Sequence, residues 1–257
     1  MLGGKRVAVV VPAFNEALLI ARTLKSIPAF VDEIVVVDDA SRDETFNVAS
    51  SVADARVHVL RHDRNRGVGH AIRTGYEFVF RAQVDVAAVM AGDAQMDARD
   101  LERVLSPVVR GDAGYAKGNR LSWPEARRRM PLLRYLGNHA LSFLTRVATG
   151  LSVADSQCGF TAIARSAYQR LDLHALWPRY GYPNDLLGRA SMAGVIVQDI
   201  PVRPVYADEQ SGIGWRHALV VIPFVLLRVA LRRLFGVRVA VQPNAIRDTA
   251  LADASRS

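Results

Sequence analysis

The sequence predicts an α/β protein: a mostly parallel central sheet flanked by helices, followed by a C-terminal amphipathic helical segment. Three observations lead there. Short apolar runs rich in β-branched residues recur through the first half of the chain. Segments with helical apolar spacing lie between them. Each of the first, second and fourth runs stops at a turn-forming or acidic cluster. Strands that alternate with helices imply βαβ units with right-handed crossovers.

The elements follow in order. Val7–Val11 reads as a strand buried on both faces and stopped by Pro12. Ala17–Ser26 has helical spacing through Leu18, Ile20, Ala21 and Leu24. Ile34–Val37 is the second strand, Thr45–Val52 a helix and Val57–Leu60 the third strand. A turn at Arg64-Asn65-Arg66-Gly67 starts a helix running to about Phe80. Val84–Met90 is the fourth strand, Ala98–Val109 a helix and Ala113–Lys117 a fifth strand. The second half is less regular. Met130–Thr149 reads as one long amphipathic helix, and Asp155–Ala164 as a loop leading into a strand. Asn184–Ala193 is helical, and Val195–Ile200 and Val202–Tyr206 are extended. The polar, alanine-rich tail from Pro243 is expected to be disordered.

Composition narrows the class. The chain has 257 residues, half of them hydrophobic and 23% charged, which excludes wholesale disorder and permits a large core. The single cysteine, Cys158, excludes an intrachain disulfide and fits a reducing compartment. The net charge is +8, so an anionic partner is expected. The longest uncharged apolar stretch, Ala218–Leu227, has ten residues and contains Pro223. A span needs about 20, so no crossing of a bilayer is expected, and the N-terminus lacks the pattern of a secretory signal.

In an open parallel sheet, ligands bind at the carboxyl ends of the strands. The polar clusters fall there: Pro12-Ala13-Phe14-Asn15-Glu16, Asp38-Asp39-Ala40-Ser41-Arg42-Asp43 and Ala91-Gly92-Asp93-Ala94-Gln95-Met96-Asp97. Carboxylates gathered at one edge need a divalent cation, a ribose hydroxyl or a base N–H as partner. Asp43 and Asp97, each just before a helix, read as caps. Further polar elements follow at Asn65-Arg66-Gly67-Val68-Gly69, Lys117-Gly118-Asn119-Arg120 and Asp155-Ser156-Gln157-Cys158-Gly159-Phe160.

In this order and spacing the six elements resemble the inverting family 2 glycosyltransferases of the GT-A fold, and most closely the branch of polyprenyl (dolichyl) phosphate sugar synthases. The resemblance spans about Val7 to Arg233. It implies transfer of a sugar from a nucleoside-diphosphate sugar, GDP-mannose or a UDP-hexose, to a polyprenyl phosphate, with Mg²⁺ or Mn²⁺ as cofactor. Position by position it implies that Pro12, Phe14 and Glu16 line the nucleoside and that Asp39 accepts hydrogen bonds from the base. Val37, Ala91 and Gly92 complete the donor-binding set. Asp93 and Gln95 hold the metal against the diphosphate, with Asp93 counted as catalytic. Arg120 lies near the transferred phosphate or leaving group. Arg134 and Asn138, one helical turn apart, match acceptor-phosphate positions. Asp155 and Gln157 line the sugar pocket. Asp185 falls where related enzymes with hydroxyl acceptors place a base, although a phosphate acceptor is already ionised and needs little such help.

One position departs from the family pattern. Its usual Asp-x-Asp after the fourth strand reads Ala91-Gly92-Asp93 here, removing one metal or ribose contact. A protein that binds the nucleotide sugar without turning it over is therefore one alternative. A glycan or lipid hydroxyl acceptor, motivated by Asp185, is another.

Other features take plainer readings. Gly67-Val68-Gly69 lacks the third glycine of a dinucleotide fingerprint. His62, His70 and His139 lack paired metal spacing, and Cys158 reads as a packing residue. Trp123 and Trp177 read as packing or rim aromatics. The basic stretches Arg120–Arg134 and Arg216–Arg238 carry few interleaved aromatics, so nucleic acid is not the expected partner. Arginines around an apolar segment opened by Trp215 suit a helix lying among anionic lipid head groups, kinked at Pro223. The expected organisation is a glycosyltransferase domain over 1–214, a membrane-interface segment over 215–240 and a tail over 241–257. The expected location is cytoplasmic, peripheral at the inner face of the membrane.

Overall fold

The computed structural model describes residues 1–205 and 217–236. The polar tail, Tyr206, Trp215, Arg216 and Arg238 lie outside the described residues.

The apolar runs become strands because they can be buried on both sides. In β1 (Val7–Ala13), Val7, Val9 and Val11 enter one core, and Ala8 and Val10 enter the other. β2 (Glu33–Asp38) splits likewise, with Ile34 and Val36 on one side and Val35 and Val37 on the other. β3 (Val57–Arg61), β4 (Val86–Val89), β5 (Tyr115–Asn119), β6 (Thr161–Ala164) and β7 (Val197–Pro201) complete seven strands in the order β3-β2-β1-β4-β6-β5-β7. All neighbours are parallel except β6, which runs antiparallel to both β4 and β5.

Helices α1 (Ile20–Ser26) and α4 (Leu101–Arg110) cover the first core, with α2 (Thr45–Ser50) beside them. The second core lies beneath α3 (Val68–Arg81), α7 (Arg165–Arg170) and α8 (Tyr182–Met192). Short α5 (Ala126–Arg129) precedes α6 (Leu132–Thr149). Helix α9 (Ile222–Leu234) buries Ile222, Leu226 and Val229 with Ala148 of α6. It also approaches α8 so closely that a Cβ on Gly188 would lie 2.5 Å from Val229.

Several boundaries differ from expectation. β1 continues through Pro12 to Ala13. The Pro12 carbonyl accepts the Gly92 N–H on the β4 side, so its missing N–H also faces that side, beyond the last paired residue of β4. α1 starts at Ile20 rather than Ala17; residues 17–19 form turns, and the N–H groups of residues 15–17 are accepted by side chains of the β2 loop. The expected helix from Ala98 opens as one tight turn capped by Asp97, and α4 follows. The expected helix from Met130 starts at Leu132, since a residue before proline avoids the helical region and Met130 is extended (ψ 132°). The fifth strand shifts to Tyr115–Asn119, and residues 202–205 lie outside the sheet. Pro223 sits in the first turn of α9, after the wider winding of residues 217–221, so it does not kink the helix midway.

Gly75 fixes the distance between α3 and the sheet: a Cβ there would lie 2.2 Å from Val10 Cγ1. Gly75→Ala is expected to lower stability by about 1–3 kcal/mol through overpacking, measured as a reduced urea midpoint at unchanged slope.

Candidate functional site

The carboxyl ends of β1, β2 and β4 open on one cavity of about 490 Å³. The loops forming its acidic wall are braced to one another before any ligand arrives. The backbone N–H of Asn15 donates to the Ser41 hydroxyl at 2.9 Å, that of Glu16 to the Thr45 hydroxyl at 2.7 Å and that of Ala17 to the Asp43 carboxylate at 3.1 Å. The Arg42 N–H returns to the Asn15 side chain at 2.9 Å. Asn15, Ala40 and Ala94, one in each loop, hold left-handed φ values of 58°, 60° and 54°. Such conformations cost on the order of 1 kcal/mol each for non-glycine residues and persist where surrounding bonds impose them.

Pro12, Phe14, Glu16, Asp39, Ala91, Gly92, Asp93 and Gln95 all line this cavity, and Arg120, Arg134 and Gln157 line it with them. Glu16, Asp39 and Asp93 thus converge from separate turns. Four other sequence candidates do not reach the lining. Val37 lies wholly in the core beneath α3. Asn138 is half-buried on α6, with its amide on Met130 Sδ at 3.6 Å. Asp155 is fully buried behind Arg120, which grips it with Nε at 2.8 Å and Nη2 at 3.1 Å. Asp185 is buried inside α8, where it accepts Arg189 Nε and the Trp177 N–H, both at 3.0 Å.

Asp39 lines the cavity with a carboxylate already engaged. One oxygen accepts His62 Nδ1 at 2.6 Å and the Arg66 N–H at 2.8 Å, and the other accepts the Gly67 N–H at 2.6 Å. It anchors the turn that starts α3. The two glycines of that turn have a packing reason: a Cβ on Gly67 would lie 2.5 Å from the Pro178 carbonyl oxygen, and one on Gly69 2.2 Å from that of Trp177. That close approach brings Tyr180, Gly181, Tyr182 and Pro183 to the cavity. Tyr180 and Arg203 belong to the lining without having been candidates. Arg203 follows the carboxyl end of β7, the edge where ligands bind in such sheets, and Asp100 holds it by its N–H at 2.7 Å and its guanidinium at 3.0 Å. Asp43 and Asp97 each accept an N–H at the start of a helical turn. Cys158 is buried, and burial raises its thiol above the ordinary range, leaving it a weak nucleophile.

No group of three or more His, Cys, Asp or Glu side chains among the described residues is placed to hold a metal ion. Asp93 and Gln95 supply two oxygen-bearing side chains to the lining, and Ala91 supplies none. Such a donor set fits a hard divalent cation only as a partial shell, completed by diphosphate oxygens and water.

Burial raises the Asp155 carboxyl, but the charge and hydrogen bonds of Arg120 outweigh it and leave it below the ordinary carboxylate value of 3.8. A depressed folded pKa contributes stability that is whole above the unfolded value and is lost as pH falls through the folded one. The stability difference between wild type and Asp155→Asn, followed by urea unfolding from about pH 6 to pH 3, is therefore expected to shrink toward the acid end. A difference that is flat with pH would contradict the pairing.

Comparison with known proteins agrees with this geometry. The family model described as glycosyl transferase family 2 matches residues 8–172. The chain is 27% identical to a UDP-N-acetylglucosamine–dolichyl-phosphate N-acetylglucosaminyltransferase of Methanococcus voltae, over 83% of this chain and 91% of the relative. It is 29% identical to a polyprenol monophosphomannose synthase of Mycolicibacterium smegmatis, over 91% of each. Among solved structures, glucosyl-3-phosphoglycerate synthase of Mycobacterium tuberculosis with Mn²⁺, uridine diphosphate and phosphoglyceric acid superposes with TM-score 0.67 at 18% identity, covering 88% of this chain and 79% of that one. These likenesses establish the GT-A fold. With most of its sheet and the whole acidic wall inside the matched residues, the chain belongs to glycosyl transferase family 2.

Proposed function

We propose that the cavity binds a nucleoside-diphosphate sugar, with its diphosphate beside Asp93 and Gln95, and passes the sugar to a polyprenyl phosphate with inversion at the anomeric carbon. The observation that carries this reading is the mixed lining of one cavity: the carboxylates Glu16, Asp39 and Asp93 together with Arg120 and Arg134. The named activities of the Methanococcus and Mycolicibacterium relatives support the acceptor class.

Each group has a separate task. Pro12 and Phe14 offer apolar surface to the base, and Glu16 offers a carboxylate to the ribose hydroxyls. Asp39 serves by holding the turn under the nucleoside, since its oxygens already accept three protein donors. Asp93 and Gln95 would hold a divalent cation, Mg²⁺ or Mn²⁺, which when bound neutralises charge on the departing diphosphate. As the glycosidic bond breaks, the anomeric carbon gains positive character and the acceptor oxygen attacks from the opposite face. A phosphate oxygen is nucleophilic at neutral pH, so positioning by Arg134 and Arg120 carries that half of the reaction without a general base, and Arg120 also meets the departing diphosphate. Asp185, tied to Arg189 and the Trp177 N–H, fits this division as a structural residue.

The surface next to Arg134 suits a lipid-borne acceptor. Leu132, Leu133 and Leu136 of α6 are 60%, 86% and 56% exposed. Phe224, Leu227 and Leu231 are exposed on α9, which packs beside α6. Arg228 and Arg233 lie on the same helix, the pattern of a helix at an anionic head-group layer, and Arg232 turns instead toward Asp185, 3.9 Å away. No helix among the described residues is long and apolar enough to cross a membrane.

Two measurements test the proposal. With radiolabelled UDP- and GDP-sugars, polyprenyl phosphate should yield a lipid-extractable product, and phosphoglycerate and water should not. Asp93→Ala should reduce that product at least about 100-fold while the unfolding midpoint is kept. Transfer to phosphoglycerate alone, or an unchanged rate in Asp93→Ala, would overturn the reading. Leu133→Glu with Leu136→Glu should release the protein from vesicles containing anionic lipid in a flotation assay, and undiminished flotation would remove the proposed docking face.

A further inference from the structure

Close to the Arg120–Asp155 pair lie two charged residues that do not line the cavity, one wholly buried and the other half-buried. Lys117 of β5 and Asp199 of β7 are register partners in a parallel pair, so their side chains leave the same face of the sheet. Lys117 is wholly buried, and its ammonium donates to the Cys158 carbonyl. One oxygen of Asp199 accepts the Ala154 N–H at 2.6 Å and the Asn119 side-chain amide at 3.2 Å. Its other oxygen is buried without a hydrogen-bond partner among the described residues.

The chain positions make these bonds informative. Asn119 directly precedes Arg120, and Ala154 directly precedes Asp155. A single carboxylate oxygen therefore ties together the two strands of chain that carry the Arg120–Asp155 ion pair. Lys117 holds the far end of the same loop at Cys158, beside the lining residues Gln157 and Gly159. Burial works against both charges, lowering Lys117 and raising Asp199, and their mutual attraction offsets part of that cost. Buried charge pairs are seldom the most stabilising filling for such a space, which directs attention to what they arrange.

We propose that Asp199 is a positioning residue for Arg120: it sets the spacing between the segments bearing Arg120 and Asp155. This rests on the reading above only where Arg120 is said to meet a phosphate.

The test uses the full chain, with UDP and Mn²⁺ as the probe. Arginine Nε–H signals are recorded by NMR, with that of Arg120 identified by its loss in Arg120→Ala. In Asp199→Ala the Arg120 signal is expected to shift and its exchange with water to accelerate about tenfold. UDP affinity is expected to fall about tenfold in each of Arg120→Ala and Asp199→Ala, and no further in the double variant, because one acts through the other. An unmoved Arg120 signal in folded Asp199→Ala, or losses that multiply in the double variant, overturns the proposal. If Asp199→Ala does not fold, the near-isosteric Asp199→Asn gives the same readouts with smaller changes, and an unmoved signal there is equally decisive. Wild-type UDP affinity and transfer in Arg120→Ala would instead remove the phosphate role of Arg120. The exchange rate would still decide whether Asp199 positions it.

Discussion

In a parallel sheet every strand delivers its carboxyl end to the same edge, and the register of β2 and β4 on β1 governs nearly everything else in this protein. Pairing of Ala13 with Asp38, and of Val10 with Val89, brings the turns after β1, β2 and β4 to one level. A shift of one residue would exchange the faces of a whole strand and send its valines out of their core. The core therefore enforces the register, and the register gathers Glu16, Asp39 and Asp93 around one opening. The side chains that brace those turns, Ser41, Asp43 and Thr45, act only because they start from neighbouring strand ends.

The cavity is lined by both carboxylates and arginines, and the two sets are held differently. Among the carboxylates, the most buried, Asp39, is satisfied by three protein donors and supports the lining from beneath. Among the arginines, Arg120 is held from behind by the fully buried Asp155 and keeps part of its guanidinium at the cavity. Both sets are thus held by protein partners: Asp39 by three donors, and Arg120 by the buried Asp155. Ala91 fits this account as a missing oxygen in a partial shell, where a diphosphate and water supply the remaining contacts.

The C-terminal helix belongs to both the core and the surface. Gly188 lets Val229 approach α8, and Ile222 and Leu226 bury themselves with Ala148 of α6. The outer sides of α6 and α9 keep leucines and phenylalanines exposed next to arginines. Arg134 links that surface to the cavity, since it lies on α6 among exposed leucines and also lines the site. An acceptor that is a phosphate at one end and a hydrocarbon at the other matches such a junction.

The alternation of apolar runs with helical spacing was enough to place six of the seven strands within two residues and to locate the acidic edge, because burial on two faces and loop chemistry are local properties of the chain. Boundaries moved where a proline acted on its predecessor, as at Met130. Residue types and order by themselves determined an α/β protein with carboxylates at strand ends and a basic second half. Only the tertiary structure decided that Asp155 and Asp185 turn inward to arginines, that Val37 faces the core and Asn138 stands off the lining, and that Tyr180 and Arg203 reach it. The physical reason is that a buried charge takes the nearest partner that can satisfy it, and that partner is set by how distant segments pack.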